Sequence, residues 1–448
     1  MTEADPKPCG SSSSAHDLAE PLATSQSALK RSDSRDRDTG NRAGVRGKRD
    51  RSRVRIRRFF LCVVVLAVGY VGLRALRRGT TNAEEIWKQA EADLERGELG
   101  SVDRAIEQLS RLRKPDPLDW FLRGQLAVAR AREDEAIDSL SRVPDGHRAA
   151  PRARLLAGQA ELRRSRVRHA EAWLIAATRL DPRLVQAHRE LIFIYSTLLR
   201  RAELNAEFIA LSQLSNLSFD NAFHWSLLRC YSWEPAKMVG PLEEYVGADP
   251  DDRWSRLALA ENYRRMGRSE DAIAALSGLP RSQPEVIDLL ARIELDRQDV
   301  DKAERLVATG PADDPLLARL RGRLALARGD AKSAIRHFRV AFADDPLARE
   351  TLFGLTAALE LAGDPKAAEP YRQAAGNLDR LNSLVQRAFT RGARDDRSLM
   401  RQFGAACEAL GLNELSRAWY KLAVGADPLD SESQQALYRL SDPKVSQP

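Results

Sequence analysis

A small residue returns at a fixed interval through most of this chain. Ala105, Ala136, Ala170, Ala272, Ala303, Ala334 and Ala368 stand 31 or 34 residues apart wherever neighbouring units adjoin. A period of that size is the mark of a stacked array, in which each unit buries its apolar face only against its neighbours. At 448 residues the chain is too long for one ordinary core, so its 43% hydrophobic residues need either several domains or such an array. The apolar share comes from Ala and Leu with only 6% aromatics, beside 30% charged residues, a composition that suits helices. From residue 83 the apolar spacing is helical and is interrupted by Gly, Asp and Pro, with no alternating stretch that calls for a strand.

The units share more than one position. Gly322, Gly329, Ala334, Phe338, Ala341 and Pro346 make one copy, and Phe403, Gly404, Cys407, Gly411, Ser416, Tyr420, Ala423 and Pro428 make another. Partial copies are Trp120, Gly124, Ala136 and Leu140, then Gly158, Ala170, Leu174, Ala177 and Pro182, then Tyr263, Gly267, Ala272 and Leu276. This pattern resembles the tetratricopeptide repeat family. The resemblance implies an all-α fold, a right-handed α-solenoid of about ten TPR-like helical hairpins. Helical glycine costs about 1 kcal/mol relative to alanine. Keeping Gly124, Gly158, Gly322 and Gly404 in one register therefore points to close helix approach, with the large residue after each small one filling the gap.

Two kinds of departure are visible. Proline follows the reference residue after 8 positions at Pro144, Pro280 and Pro311, but after 12 at Pro182, Pro346 and Pro428, which predicts some shorter second helices. The reference register falls on Leu204 and Pro241 between residues 185 and 252, predicting an irregular pair there. The step from Ala368 to Ser416 is 48, which predicts an extra helix around Leu381 to Thr390. The array is assigned to 83–430. The segment 431–448 is assigned to a capping helix, Ser431 to Leu440, and a tail.

The first eighty residues read differently. Residues 1–55 are rich in Ser, Arg, Asp and Gly, and are expected to be a disordered basic tail because they cannot bury enough surface to offset ordering entropy. Phe59–Leu73 is an uncharged apolar run, and 56–78 is expected to form one transmembrane helix with Arg57, Arg58 and Arg74 reaching the interfaces. Residues 41–58 hold nine basic residues and one acidic, so the N-terminus is expected in the cytoplasm. The repeat domain of this single-pass protein is then extracytoplasmic, and periplasmic if the source is bacterial. The net charge of +7 belongs to this region: residues 1–58 carry +6, Arg74, Arg77 and Arg78 carry +3, and everything beyond residue 78 sums to −2. That is no electrostatic footprint for nucleic acid, so none is expected as a partner.

Nothing in the motifs points to catalysis. There is no phosphate-cradling glycine loop, no H-E-x-x-H and no G-x-S-x-G, and the six histidines never fall at i and i+4. Cys9, Cys62, Cys230 and Cys407 show no paired spacing. No cofactor, metal or small-molecule substrate is expected, and the protein reads as a non-enzyme. The family resemblance places partner binding on the concave face lined by first helices. The residues it selects are Arg189, Phe193, Trp233, Trp254, Glu261, Arg264, Arg319 and Arg323, with Asp288 and Arg292 beside them. The expected function is a membrane-tethered interaction scaffold or assembly factor for proteins or peptides. Alternative readings are an exported soluble repeat protein, a non-catalytic subunit of a membrane or envelope enzyme complex, and a hydrolase or transferase subunit with its active site in the groove.

Overall fold

The structure is a computed structural model, and it describes residues 82–227, 234–390 and 392–441. The chain divides into two units, Met1–Arg74 and Ala75–Pro448, and all described residues belong to the second. The expected tail and the run Phe59–Leu73 therefore lie outside the described residues. Among the described residues no helix is long and apolar enough to cross a membrane.

The described residues form helices without strands, paired as antiparallel hairpins. The first four hairpins are α1 (82–95) with α2 (Leu99–Leu112), α3 (Pro117–Ala129) with α4 (Glu133–Ser141), α5 (Ala150–Arg163) with α6 (Val167–Leu180), and α7 (Val185–Thr197) with α8 (Arg201–Leu214). Next come α9 (Phe219–Leu227) and α10 (Pro235–Ala248), then α11 (Arg253–Arg265) with α12 (Ser269–Leu276), and α13 (Pro284–Asp296) with α14 (Val300–Ala308). The last are α15 (Pro315–Ala327) with α16 (Ala331–Asp344), α17 (Arg349–Leu361) with α18 (Pro365–Ala388), and α19 (Arg397–Ala409) with α20 (Asn413–Ala426), closed by α21 (Ser431–Leu440). First helices of successive hairpins touch side by side, α11 on α13, α13 on α15 and α15 on α17, so they make one continuous layer.

Most hairpins turn through a single left-handed residue. Gly97, Ala131, Ser165 and Leu199 hold this position at 34-residue steps, and Gly267, Gln298 and Gly329 at 31. Aspartates then start many helices, as Asp314, Asp330, Asp364, Asp396 and Asp430 do by accepting backbone N–H groups. The second helices α4, α12 and α14 are 8 or 9 residues long, against 14 for α6, α16 and α20. Pro144, Pro280 and Pro311 follow the short ones, because proline lacks the N–H needed to extend a helix.

The glycine register is a packing device. A Cβ on Gly124 would meet Leu140, on Gly158 Leu174, on Gly322 Phe338 and on Gly404 Tyr420, in each case the residue sixteen positions on. Phe338 is wedged from both sides, because Gly354 of the next hairpin leaves no room for a Cβ either.

One expectation is corrected and one is narrowed. The segment around Leu381 to Thr390 is no separate helix, because α18 runs unbroken for 24 residues from Pro365 to Ala388. Its buried stripe of Ala375, Leu378, Leu381, Leu384 and Val385 continues at helical spacing, so nothing favours a break. The region 185–252 is irregular only in its second half. In the first half α7 and α8 form an ordinary hairpin of 13 and 14 residues; in the second, α9 stacks Trp225 on Phe208 of α8 at 5.5 Å and also packs far along the sequence, against α18 and α20. Trp419 on α20 stacks on Phe403 at 4.3 Å, meets Phe219 of α9 edge-on at 5.2 Å, and donates from Nε1 to Ser226 Oγ at 3.0 Å. The array thus closes on itself across 193 residues of sequence.

Candidate functional site

The four first helices α11, α13, α15 and α17 carry charge at fixed repeat positions. One position holds Asp288, Arg319 and Glu350, and the position four residues after it holds Glu261, Arg292 and Arg323, each at 31-residue steps. Because the helices stack with that same period, opposite charges meet both within a helix and across neighbouring ones. Arg292 Nε lies 2.9 Å from Asp288 Oδ2, and its Nη2 lies 3.1 Å from Glu261 Oε2. Glu261 also accepts from Arg264 Nε at 2.9 Å and Arg265 Nε at 2.8 Å, and Arg264 reaches Asp296 at 2.6 Å. Toward α17 the pairs loosen: Arg319 and Arg323 lie 3.3 and 3.4 Å from Glu350.

This ladder floors a cleft with two chambers. The larger, about 650 Å³, is lined by Glu261, Asp288, Arg292, Arg323, Glu350 and Phe353, among others, and holds seven arginines against four carboxylates in all. The smaller, about 520 Å³, adds Asp344 and Asp345. Both chambers share Leu199, Arg201, Leu316 and Arg319, which form a waist between the α7–α8 turn and α15. One wall thus comes from a hairpin far from the others in sequence. Leu199 reaches it with a φ of 57°, a left-handed backbone that costs an ordinary side chain about 1–2 kcal/mol.

Burial alone would push the Glu261 carboxyl up, but the surrounding guanidinium groups of Arg292, Arg264 and Arg265 outweigh it and hold it at about 2. Asp288 goes the other way: its complete burial pushes the carboxyl up against the pull of Arg292 and Arg319. Burial would lower Arg264 and Arg292, yet their carboxylate partners raise both. Glu261→Gln is expected to destabilise α11 and α13 by roughly 2–3 kcal/mol at neutral pH, the scale of its carboxyl's displacement. The folded value lies below the ordinary 4.5, so this contribution is complete above 4.5 and fades as pH falls through about 2. Hydrogen exchange of α11 and α13 amides checks it: wild type and variant should differ at pH 6 and converge at pH 2. A constant gap would refute the assignment.

The structure brings together four of the residues selected from sequence, Glu261, Arg264, Arg319 and Arg323, along with Asp288 and Arg292. Arg189 and Phe193 stand on the exposed face of α7 and line neither chamber. Trp254 is half-buried with the guanidinium groups of Arg200 and Arg253 over its ring at 4.8 and 4.5 Å. Trp233 lies outside the described residues. Sequence reasoning left out Leu199, Arg201, Leu316, Arg349, Glu350 and Phe353. Glu350 could have been found by stepping 31 residues from Arg319, whereas nothing periodic marks Leu199 or Arg201 as part of this site.

Elsewhere two histidines are packed into the array. His188 bonds Glu207 Oε2 at 2.6 Å and the Pro182 carbonyl at 2.9 Å, and His224 packs edge-on to Phe208 at 5.3 Å. Cys407 is fully buried. Among the described residues no group of three His, Cys, Asp or Glu side chains is placed to hold a metal.

On its own geometry the fold is a tetratricopeptide-like stack of helical hairpins. No family model matches the chain. No curated protein matches it. Among solved structures it is similar to the Cut9–Hcn1 hetero-tetramer of APC/C, at 12% identity over 80% of this chain and 90% of that one, with a TM-score of 0.33. A tetratricopeptide repeat protein from Parabacteroides merdae is similar at 16% identity over 62% and 98%, with a TM-score of 0.30. The human IFIT1 dimer with m7Gppp-AAAA is similar at 16% identity over 78% and 79%, also at 0.30. Likenesses at such TM-scores carry no functional inference.

Proposed function

We propose that this chain is a protein-interaction scaffold that holds a segment of a partner protein in the cleft between the α7–α8 turn and the α11–α17 layer. The observation that carries the reading is the cleft itself: two connected chambers with arginines, carboxylates, leucines and Phe353 on their walls. Arginine beside apolar and aromatic side chains in a concave surface is the composition of interface hot spots. The membrane tether belongs to the same proposal and rests on the sequence of Phe59–Leu73. It would confine scaffold and partner to one surface and raise their effective concentration, with the array on the extracytoplasmic side. The same proposal takes the role to be binding, with the cleft holding its partner and not transforming it.

Affinity purification of the detergent-extracted full-length protein against an Arg319→Ala, Arg323→Ala variant tests the cleft. A partner depleted at least fivefold from a variant that keeps its helical circular dichroism supports the reading. An unchanged partner set moves the site off this surface. Nuclease treatment forms a further arm, and a partner set lost on RNA digestion would replace the protein reading with a nucleic-acid one. Recovery of the protein in the supernatant after alkaline extraction of membranes would remove the tether.

A further inference from the structure

The two chambers differ in charge, and this difference narrows what can occupy them. Beyond the shared waist, the larger chamber adds Arg323 and Arg349 at its α15–α17 end, where Glu350 is held only loosely. Arg349 lies over the Phe353 ring at 4.4 Å and pairs with Asp379 at 3.1 Å, the arginine side chain remaining half-exposed beside the cleft. Beyond the same waist, the smaller chamber adds only acidic charges, Asp344 and Asp345. Asp345 accepts the Leu347 N–H and so has a structural task, whereas Asp344 is exposed at the end of α16.

We propose that the cleft takes an extended protein segment in which acidic residues are followed or preceded by a basic one, the acidic part against Arg319, Arg323 and Arg349 and the basic part against Asp344. This rests on the groove-binding reading and adds the chemistry of the partner. A polyanion such as RNA fits less well, because Glu261, Asp288, Asp296 and Glu350 interrupt the arginines and would repel a continuous phosphate backbone. Side chains of one sign alone leave half the cleft opposed by like charge, which works against a purely acidic or purely basic segment.

Leu199 supplies the apolar part of the α7–α8 wall. Five other hairpins use glycine at its left-handed turn position, Gly97, Gly267, Gly329, Gly363 and Gly411, and three use Ala131, Ser165 and Gln298, so what distinguishes Leu199 is where it stands and not its backbone. Its side chain is the apolar member of the waist on the α7–α8 side and presses the segment against Leu316 and Arg319.

The test is fluorescence anisotropy with the full-length protein in detergent and four labelled probes: a peptide of three glutamates, three glycines and three lysines, hexaglutamate, hexalysine, and a twelve-nucleotide oligouridine. The mixed peptide is expected to bind at least tenfold more tightly than either single-sign peptide. Leu199→Gly should weaken it about fivefold while leaving the melting temperature equal or higher, a separation that a merely structural leucine would not produce. Asp344→Lys should shift the preference toward hexaglutamate, and Arg319→Glu with Arg323→Glu should abolish binding of the mixed peptide. Hexaglutamate binding as tightly as the mixed peptide, with no response to Asp344→Lys, overturns the charge order but leaves groove binding standing. Oligouridine binding more tightly than every peptide overturns the partner class. No probe bound, together with an unchanged partner set for the Arg319→Ala, Arg323→Ala variant, overturns both.

Discussion

Phe338→Ala is expected to destabilise the α15–α18 region by about 3–5 kcal/mol, the range for truncating a large buried aromatic side chain. Phe338 is 1% exposed and fills the space between α15 and α17. Atoms of its ring lie 2.9 Å from where a Cβ would sit on Gly322, and closer still to the equivalent point on Gly354. Two glycines thus give up helix propensity, at about 1 kcal/mol each, so that one phenylalanine can join two hairpins. Alanine at 338 would leave a cavity walled by two backbones that cannot collapse onto it without shifting both hairpins. Gly354→Ala should also destabilise, by about 1–3 kcal/mol from overpacking, and a second substitution Phe338→Leu should recover part of that loss. Hydrogen exchange is the suitable readout, since a repeat array opens locally and its units report separately. Loss of protection in α15–α18, with α3–α6 unchanged, is expected. Uniform loss along the whole array would show that the wedge is not local.

The same period explains what was legible in the sequence. Helix pairing, the glycine–large residue contacts sixteen apart and the shortened second helices all follow from properties repeated every 31 or 34 residues. The charge ladder was half visible. Glu261, Arg264, Arg319 and Arg323 were selected as groove positions, but their pairing across hairpins follows only once the 31-residue step is applied to charges as well as to small residues. The length of α18 was not legible, because the 48-residue step from Ala368 to Ser416 suggested an inserted helix, whereas a continuous apolar stripe simply lengthens an existing one. Least legible was the second wall of the cleft. Leu199 and Arg201 face α15 because the array curves back, and that curvature accumulates from small rotations at every hairpin. No single residue encodes it.

The closure of the array supplies the second large effect. Trp419→Ala is expected to cost about 3–5 kcal/mol and to release α9 from α20. The indole is fully buried, stacked on Phe403 within its own hairpin and edge-on to Phe219 of α9. These two contacts separate the local role from the long-range one. Truncation removes both, so protection should fall in α19–α20 and in α9 together. Trp419→Phe keeps an aromatic ring against Phe403 but deletes the Nε1 donor to Ser226, whose net worth is about 1 kcal/mol. Ser226 is itself fully buried and still has the Ala222 carbonyl to donate to, so the loss is confined to one bond. Trp419→Phe should therefore lower protection in α9 while leaving α19–α20 close to wild type. The α9–α20 contact also bears on the cleft, because α8, which begins beside the Leu199 turn, packs against α20 as well. If closure holds the two walls at their working distance, Trp419→Phe should weaken mixed-peptide binding by a fewfold without touching a cleft residue. Unaltered affinity alongside reduced α9 protection would mean that the cleft keeps its width through the hairpin stack alone, and that closure serves only stability.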